Sequence, residues 1–519
     1  MEPRELIIII ELGSQYSHLI ARRIRGLGVY TDISIIDALR DKHIPSTVKG
    51  MILSGGPGSV VSHEEYIQED ILEYLLTLKV PILGICLGHQ LIAKFFGGTV
   101  VRGERGEYGL AILNLRGIHC RLVDGLPKSF RVWMSHKDTV IKEPDGFKNI
   151  GYTKYTPVAI MCNDGLKIYG VQFHPEVSHT EYGDIILRNF VYKICRCRGG
   201  WSPEDYIENY IRQHSKLSSE RAIMAISGGI DSTVTALILH KIFHDNLNLV
   251  FIDNGLLREK EGEWVKSLFS QLGLRNLHFI DASKTFLREL RGVSDPEEKR
   301  RTISNIFIRI FREYAEELGR KIGEIKYLGQ GTIYPDIVES GKASRYTDKI
   351  KSHHNVSMSI TYGFKILEPL RYFYKDEVRR VAKYLGLPRE LIERHPFPGP
   401  GLAIRIVGEV TDEKLNILRR VDRIVEEEVR KAGLYKKYWQ AFPILLSIKS
   451  VGVKGDRRVY GYVIVLRFVE SRDAMTARFS RLDWDFLENL SSRIMNEVDE
   501  VSRVLYDISN KPPATIEFE

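Results

Sequence analysis

Cys86 stands at the centre of Gly84-Ile85-Cys86-Leu87-Gly88, after the aliphatic run Val80–Ile85 and just before a helical pattern that starts at Leu87. A thiol flanked by glycines at a strand-to-helix turn sits on a strained, exposed elbow, from which it can attack a carbonyl carbon. A helix N-terminus also favours the thiolate, the nucleophilic form. The pentapeptide alone fits equally a small cysteine packed at a sheet edge. Val171-Gln172-Phe173-His174-Pro175-Glu176 adds what a nucleophile needs. The run Ile168–Phe173 delivers His174 at a strand end, and Glu176 can orient its imidazole. A strand-end histidine by itself is more often structural, but beside an elbow cysteine it becomes a candidate base. In Ser54-Gly55-Gly56-Pro57-Gly58 the amide of Gly56, with that of Leu87, is a candidate pair of oxyanion donors. A plain turn also fits that segment.

A different chemistry is written in Ser227-Gly228-Gly229-Ile230-Asp231-Ser232-Thr233, between the strand-like Ala222–Ile226 and a helix. Glycines let the main chain approach a phosphate, and the free amides of the helix start attract an anion. No Gly-x4-Gly-Lys-Ser/Thr loop and no Gly-x-Gly-x-x-Gly fingerprint occur in the chain. A glycine-rich helix cap without function is the alternative.

These groups need elements to hold them. Leu6–Ile10, Gly50–Ser54 and Val80–Ile85 read as strands, and Gln15–Arg25, Glu64–Leu78 and the segment from Leu87 as helices. The alternation predicts an α/β domain with a largely parallel sheet. The polar, glycine-containing stretch from Arg196 to Pro203 interrupts it. A second α/β alternation follows: strands Ala222–Ile226, Leu249–Ile252 and Leu277–Ile280, helices Ser232–Phe243 and Glu259–Leu272. Three prolines in His395–Gly401 mark another break. Beyond them the helix Glu413–Ala432, with Leu415, Leu418, Val421 and Val425 in a stripe, a ribbon over Val459–Val469 and a helix over Asp485–Val498 predict a small α+β domain. The expected fold is thus two α/β domains with mainly parallel sheets plus an α+β domain, divided 1–197, 198–394 and 395–519.

Bulk properties exclude several classes. At 519 residues, 43% apolar and 27% charged, the chain is long enough for two to four ordinary cores. A net charge of +8 suits anionic nucleotides as well as nucleic acid. Five cysteines, none beyond Cys197, make no disulfide framework and no zinc pattern, which predicts a reducing, cytoplasmic setting. The five-residue run Leu6–Ile10 is too short for a signal or a membrane span.

The three segments around Gly56, Cys86 and His174, with the opening Glu11-Leu12-Gly13-Ser14-Gln15-Tyr16, resemble the class I glutamine amidotransferases over about residues 6–195. The resemblance implies that Cys86 forms a glutamyl thioester, His174 shuttles the proton, Glu176 orients it, and Gln90 contacts glutamine. Ser-Gly-Gly-x-Asp-Ser resembles the ATP pyrophosphatases, whose fold is adenine-nucleotide-hydrolase-like. There the loop holds the β- and γ-phosphates, Leu249–Ile252 would flank adenine, and Asp231 would stand near Mg²⁺; no organic cofactor is implied. Phe251–Arg258, Asp295–Arg300, Leu328–Asp336, Lys351–Val356 and Lys511–Glu517 are similar to GMP synthetases. That family implies XMP, ATP and glutamine as substrates, no nucleic-acid or membrane partner, and a homodimer made by the C-terminal domain. It also implies an XMP site at Gln440, Arg503, Lys511, Ile516 and Glu517. Two segments depart from the family pattern, Ser357-Met358-Ser359-Ile360 and Ile303-Ser304. A tRNA-modifying pyrophosphatase would usually carry a cysteine pair in the second half, which is missing here; a regulatory, non-enzymatic protein would not need Cys86, His174 and Asp231 together.

Overall fold

Aliphatic runs become the inner strands of this protein. In the strand Leu6–Glu11 each of the five aliphatic side chains is buried, as a strand covered on both faces requires. The computed structural model describes residues 5–14, 16–35, 46–62, 73–75, 77, 79–341, 363–471 and 476–519. Of the helix expected over Glu64–Leu78 only 73–75 and 77 are described, and these are helical. Gln15 and the motifs Lys351–Val356 and Ser357–Ile360 lie outside the described residues. The chain divides into two compact units, Met1–Tyr206 and Ile207–Glu519.

The first unit is built on a nine-stranded mixed sheet. Strands Tyr30–Ile35, Leu6–Glu11, Val48–Leu53, Ile82–Ile85 and Ile168–Val171 run parallel in that spatial order. Ile85 stands opposite Val171, so Cys86 and the segment leading to His174 leave the sheet side by side. Ile160–Asn163, Lys148–Tyr152, Thr99–Leu115 and Ser129–Lys142 continue the sheet antiparallel. Their pattern is two-sided: along Ser129–Lys142, Phe130, Val132, Met134, His136 and Asp138 face inward and alternate with more exposed residues.

In the second unit the strands Leu277–Asp281, Leu247–Asp253, Ala222–Ile226, Tyr327–Gly329 and Lys365–Leu367 form a parallel sheet in that order. Ala222–Ile226 is its topological switch point, the strand from which successive connections leave in opposite directions. A further sheet is dominated by the antiparallel pair Gln440–Lys454 and Arg457–Glu470, with Val501–Tyr506 added parallel to the latter. The helix Asp412–Lys431 begins at Thr411, whose Oγ1 accepts from the Lys414 amide at 3.3 Å, and buries the expected stripe of Leu415, Leu418, Val421 and Val425. Ile223, Val250 and Leu328 of the parallel sheet share one core with Val421, Leu445 and Ile464.

The tail of the chain is held by buried guanidinium groups. Arg467, 1% exposed, donates to the carbonyls of Ser509 (2.9 Å), Thr515 (2.7 Å) and Ile516 (3.1 Å) and pairs with Asp507 at 2.8 Å. Replacing it by Met keeps volume but strands these acceptors. Arg467→Met is expected to lower the unfolding free energy of the second unit by about 3–5 kcal/mol, measured by chemical denaturation; a loss below ~1 kcal/mol, the worth of a surface pair, would contradict the clamp.

Candidate functional site

The strand Ile82–Ile85 ends at Cys86, which has φ 53° and ψ −103°, outside the favoured regions for a residue with a Cβ. Its flanking glycines allow this. A Cβ on Gly88 would come 2.5 Å from the Leu53 carbonyl oxygen, and one on Gly84 would fall on the Gly88 carbonyl. The turn is pinned by the Cys86 amide donating to Val171 O (2.9 Å) and the Gly88 amide to Ser54 O (3.2 Å). Cys86 thus caps the helix Leu87–Phe95 with its thiol 3.6 Å from the Ser135 carbonyl oxygen.

His174 meets this thiol. Its Nδ1 lies 2.7 Å from Oε1 of the fully buried Glu176, and its ring stands beside Cys86, the two side chains flanking Gly55. With Nδ1 given to the carboxylate, Nε2 is the atom left for the thiol. The main chain holds the imidazole in place: the His174 amide donates to Trp133 O (3.1 Å), and Thr180 Oγ1 donates to His174 O (2.6 Å). Gly55 lets the two side chains meet, since a Cβ there would be 3.1 Å from His174 Cε1 and 3.5 Å from Cys86 Cβ. Burial pulls the imidazole pKa down, but the Glu176 charge and the bonds to Cys86 and Glu176 prevail and hold it well above 6.5. This environment favours an imidazolium beside the thiol.

Among the described residues neither the Gly56 amide nor the Leu87 amide has a protein acceptor, which leaves both for an oxyanion. Gly56 is required sterically, because a Cβ would fall on the Leu12 carbonyl and lie 2.9 Å from Leu87 Cδ2. Gln90 is buried, and its Nε2 is already committed to Asp138 O (2.7 Å) and Gln172 Oε1 (3.2 Å). Two further groups are not legible in the sequence. Asp138 Oδ2 accepts from Ser59 Oγ at 2.5 Å, and the Asp138 carbonyl also meets His136 Nδ1 at 2.9 Å. Glu107 accepts from Thr153 and Thr156 and lies 3.6 Å from His136 Nε2, inside the same strand pair. Burial works against the Glu107 charge, yet the bonds from His136, Thr156 and Thr153 hold its pKa below the usual carboxylate range.

The second candidate site lies where Ala222–Ile226 ends. Gly228 has φ +75°, and a Cβ there would be 2.6 Å from Val265 Cγ2. Ser227, Gly229 and Ser232 fold the loop on itself: Ser232 Oγ meets Ser227 Oγ at 3.2 Å and donates to Gly229 O at 3.0 Å. Thr233 Oγ1 also donates to Gly229 O, at 2.9 Å, while Ile230 opens the helix Ile230–Phe243. Asp231, in its first turn, pairs through Oδ2 with Lys375, a cation from the distant helix Lys375–Tyr384. Asp231 Oδ1 is buried without a partner. No cluster of three or more metal-binding side chains occurs among the described residues.

Both candidate sites fall within segments that match known families. Residues 8–194 match the family Glutamine amidotransferase class-I, 427–518 the GMP synthase C terminal domain, and 221–393 the Queuosine biosynthesis protein QueC. A GMP synthase [glutamine-hydrolyzing] of Symbiobacterium thermophilum is 49% identical over the whole of both chains. Those of Synechococcus sp. (48%; 99% of this chain, 97% of the relative) and Thermosipho melanesiensis (48%; 99% of each) agree. The chain belongs to the glutamine-hydrolysing GMP synthases. The fit to the QueC family is confined to the part that carries the phosphate loop.

The five C-terminal candidates, Gln440, Arg503, Lys511, Ile516 and Glu517, are held in different ways. Gln440 Nε2 donates to Glu517 Oε1 at 2.9 Å, so these two stand together. Arg503 extends from the strand Val501–Tyr506 to Ser450 Oγ at 2.9 Å, whereas Lys511 pairs by its main chain with Ala477. Ile516 is buried with Phe442, Ile444 and Val465 as a core residue. Lys375 and Arg405, which bind Asp231 and Glu517, come from segments far away in the chain.

Glu176→Gln removes the charge that raises the His174 pKa, so that pKa must fall. The alkaline limb of the pH profile of kcat/KM for glutamine hydrolysis, where the imidazolium is lost, is therefore expected at lower pH than in the parent protein. An unmoved or higher limb would refute the electrostatic coupling.

Proposed function

We propose that this chain makes GMP from XMP, ATP and glutamine. Cys86 Sγ attacks the side-chain carbonyl carbon of glutamine; the amides of Gly56 and Leu87 hold the oxyanion, and His174 gives its proton to the departing ammonia. Water then attacks the glutamyl thioester, with His174 as base, and releases glutamate. In the second unit Ser227, Gly228, Gly229, Ile230, Asp231, Ser232 and Thr233 cradle ATP. A purine oxygen of XMP attacks the α-phosphorus and pyrophosphate leaves; ammonia next displaces AMP to give GMP. The observation that carries this proposal is one chain holding both a thiol–imidazole–carboxylate array and a phosphate loop at a sheet's switch point.

Asp231, with its unpartnered Oδ1, fits Mg²⁺ carried in with ATP, and Lys375 beside it suits a phosphate oxygen. The metal, when bound, neutralises phosphate charge. Gln440 and Glu517 would meet XMP, with Arg503 and Lys511 toward its phosphate. The buried state of Ile516 restricts it to a contact through its main chain or its edge. We divide the chain functionally at 1–197, 198–394 and 395–519. A cytoplasmic setting suits five free cysteines. No helix among the described residues is long and apolar enough to cross a membrane.

A homodimer through the last domain accounts for an apolar face on the hairpin Gln440–Lys454/Arg457–Glu470. Val451 stands opposite Tyr460, and Val453 extends the same face; Val453 is 71% and Tyr460 69% exposed.

Three experiments test these proposals. Cys86→Ala should abolish glutamine-dependent GMP formation, a loss of several orders of magnitude, and spare synthesis from ammonium. Asp231→Asn should depress pyrophosphate release with either nitrogen source; normal release would rule out the loop assignment. For the dimer, Val453→Asp combined with Tyr460→Asp is expected to give a monomer by light scattering, and an unchanged mass would exclude this face.

A further inference from the structure

Glu517 is not held by the main chain around it but by a buried chain of charge. Arg405 donates Nε to Glu517 Oε2 at 3.0 Å and Nη2 to Oε1 at 2.9 Å, while Gln440 adds a third bond to Oε1 at 2.9 Å. A carboxylate offers about four acceptor positions, so three filled ones leave roughly one for a ligand. Arg405 is fully buried, whereas the Glu517 side chain keeps 18% of its surface open. The acid, not the arginine, can therefore touch a bound nucleotide. Behind Arg405 stands Asp422, Oδ1 3.7 Å from Nη1, and Asp422 Oδ2 is 3.2 Å from Arg258 Nε. Phe442 closes the guanidinium's face at 4.0 Å. The far anchor is rigid: Arg258 follows a turn whose Leu256 and Leu257 carbonyls accept from the Leu402 amide (2.7 Å) and Arg419 Nε (2.9 Å).

We propose that Arg405, backed by Asp422, is a positioning residue that fixes the plane of the Glu517 carboxylate so that its remaining lone pair faces a donor group of XMP. This rests on the proposal that Glu517 meets XMP. A planar fork sets both oxygens at once; an ammonium sets only a point.

The test is a double-mutant cycle read as KM for XMP, with ammonium as nitrogen source and KM for ATP and the melting temperature as controls. Glu517→Gln alone must raise KM for XMP; if it does not, the assignment of Glu517 fails, and the brace with it. Given that rise, Arg405→Lys is expected to raise KM for XMP about tenfold with KM for ATP within about twofold. In the Glu517→Gln background it should add nothing. An unchanged KM for XMP in the single variant, equal rises for XMP and ATP, or effects that multiply in the double variant would overturn the brace. Should Arg405→Lys fail to fold, Asp422→Asn, which keeps the shape, carries the same cycle with an expected rise of about threefold.

Discussion

Both candidate sites depend on main chain touching main chain where a parallel strand ends. At the thiol elbow Gly84 and Gly88 bring the turn against its own carbonyls and against Leu53, leaving Cys86 a strained positive-φ backbone with its Sγ 3.6 Å from the Ser135 carbonyl oxygen. At the phosphate loop Gly228 lies against Val265 and Gly331 packs on the main chain of Asp231 and Ser232. A single Cβ at Gly84, Gly88 or Gly228 would push the reactive segment out of place. The strain at Cys86 is therefore tolerated because the surrounding sheet over-determines it. Helix starts add their free amides at the same points, so close approach and anion attraction coincide.

What sequence reveals follows from how locally each group is built. Cys86 with its glycines, His174 with Glu176, and Ser227 through Thr233 are each one strand end and one turn, so their chemistry stands in consecutive letters. The helix start at Asp295-Pro296, which opens Pro296–Ile322, is equally local, with Asp295 accepting from the Glu298 amide at 2.8 Å. The groups that complete each site are not local. Lys375 reaches Asp231 across 144 residues and Arg405 reaches Glu517 across 112. The antiparallel strands Thr99–Leu115 and Ser129–Lys142 are not legible in the sequence because their inner face carries Glu107, His136 and Asp138 among its apolar residues, which blurs the alternation. Ile516 shows the converse limit: beside Glu517 in sequence it shares the acid's neighbourhood, yet its aliphatic chain goes to the core.

The +8 surplus is not spread as a uniform surface field. Some of the arginines are interior, and the two halves of the chain use polarity differently. In the first unit the buried polar groups are hydroxyls, amides and two histidine–carboxylate pairs, His174 with Glu176 and His136 with Glu107, together with Arg25 and Asp138. In the second unit Arg405 and Arg467 are among the largest fully buried side chains, each answered by acceptors from the last thirteen residues.

That reciprocity makes the tail and the cations conditional on each other. A buried guanidinium without partners is costly, and so is a buried main-chain carbonyl without a donor. Arg467 satisfies Ser509, Thr515 and Ile516, Arg405 satisfies Glu517, and Lys299 with Arg300 binds Glu519. Removing the tail would leave Arg405, Arg467 and Lys299 short of partners in the core; removing the cations would leave the tail nothing to fold against. The segment bearing Glu517 is consequently ordered by the same groups that stabilise the sheet beneath it. On the proposal that Glu517 meets XMP, a carboxylate fixed in this way needs no reorganisation on binding, which is the condition for a contact to favour one substrate over a close analogue.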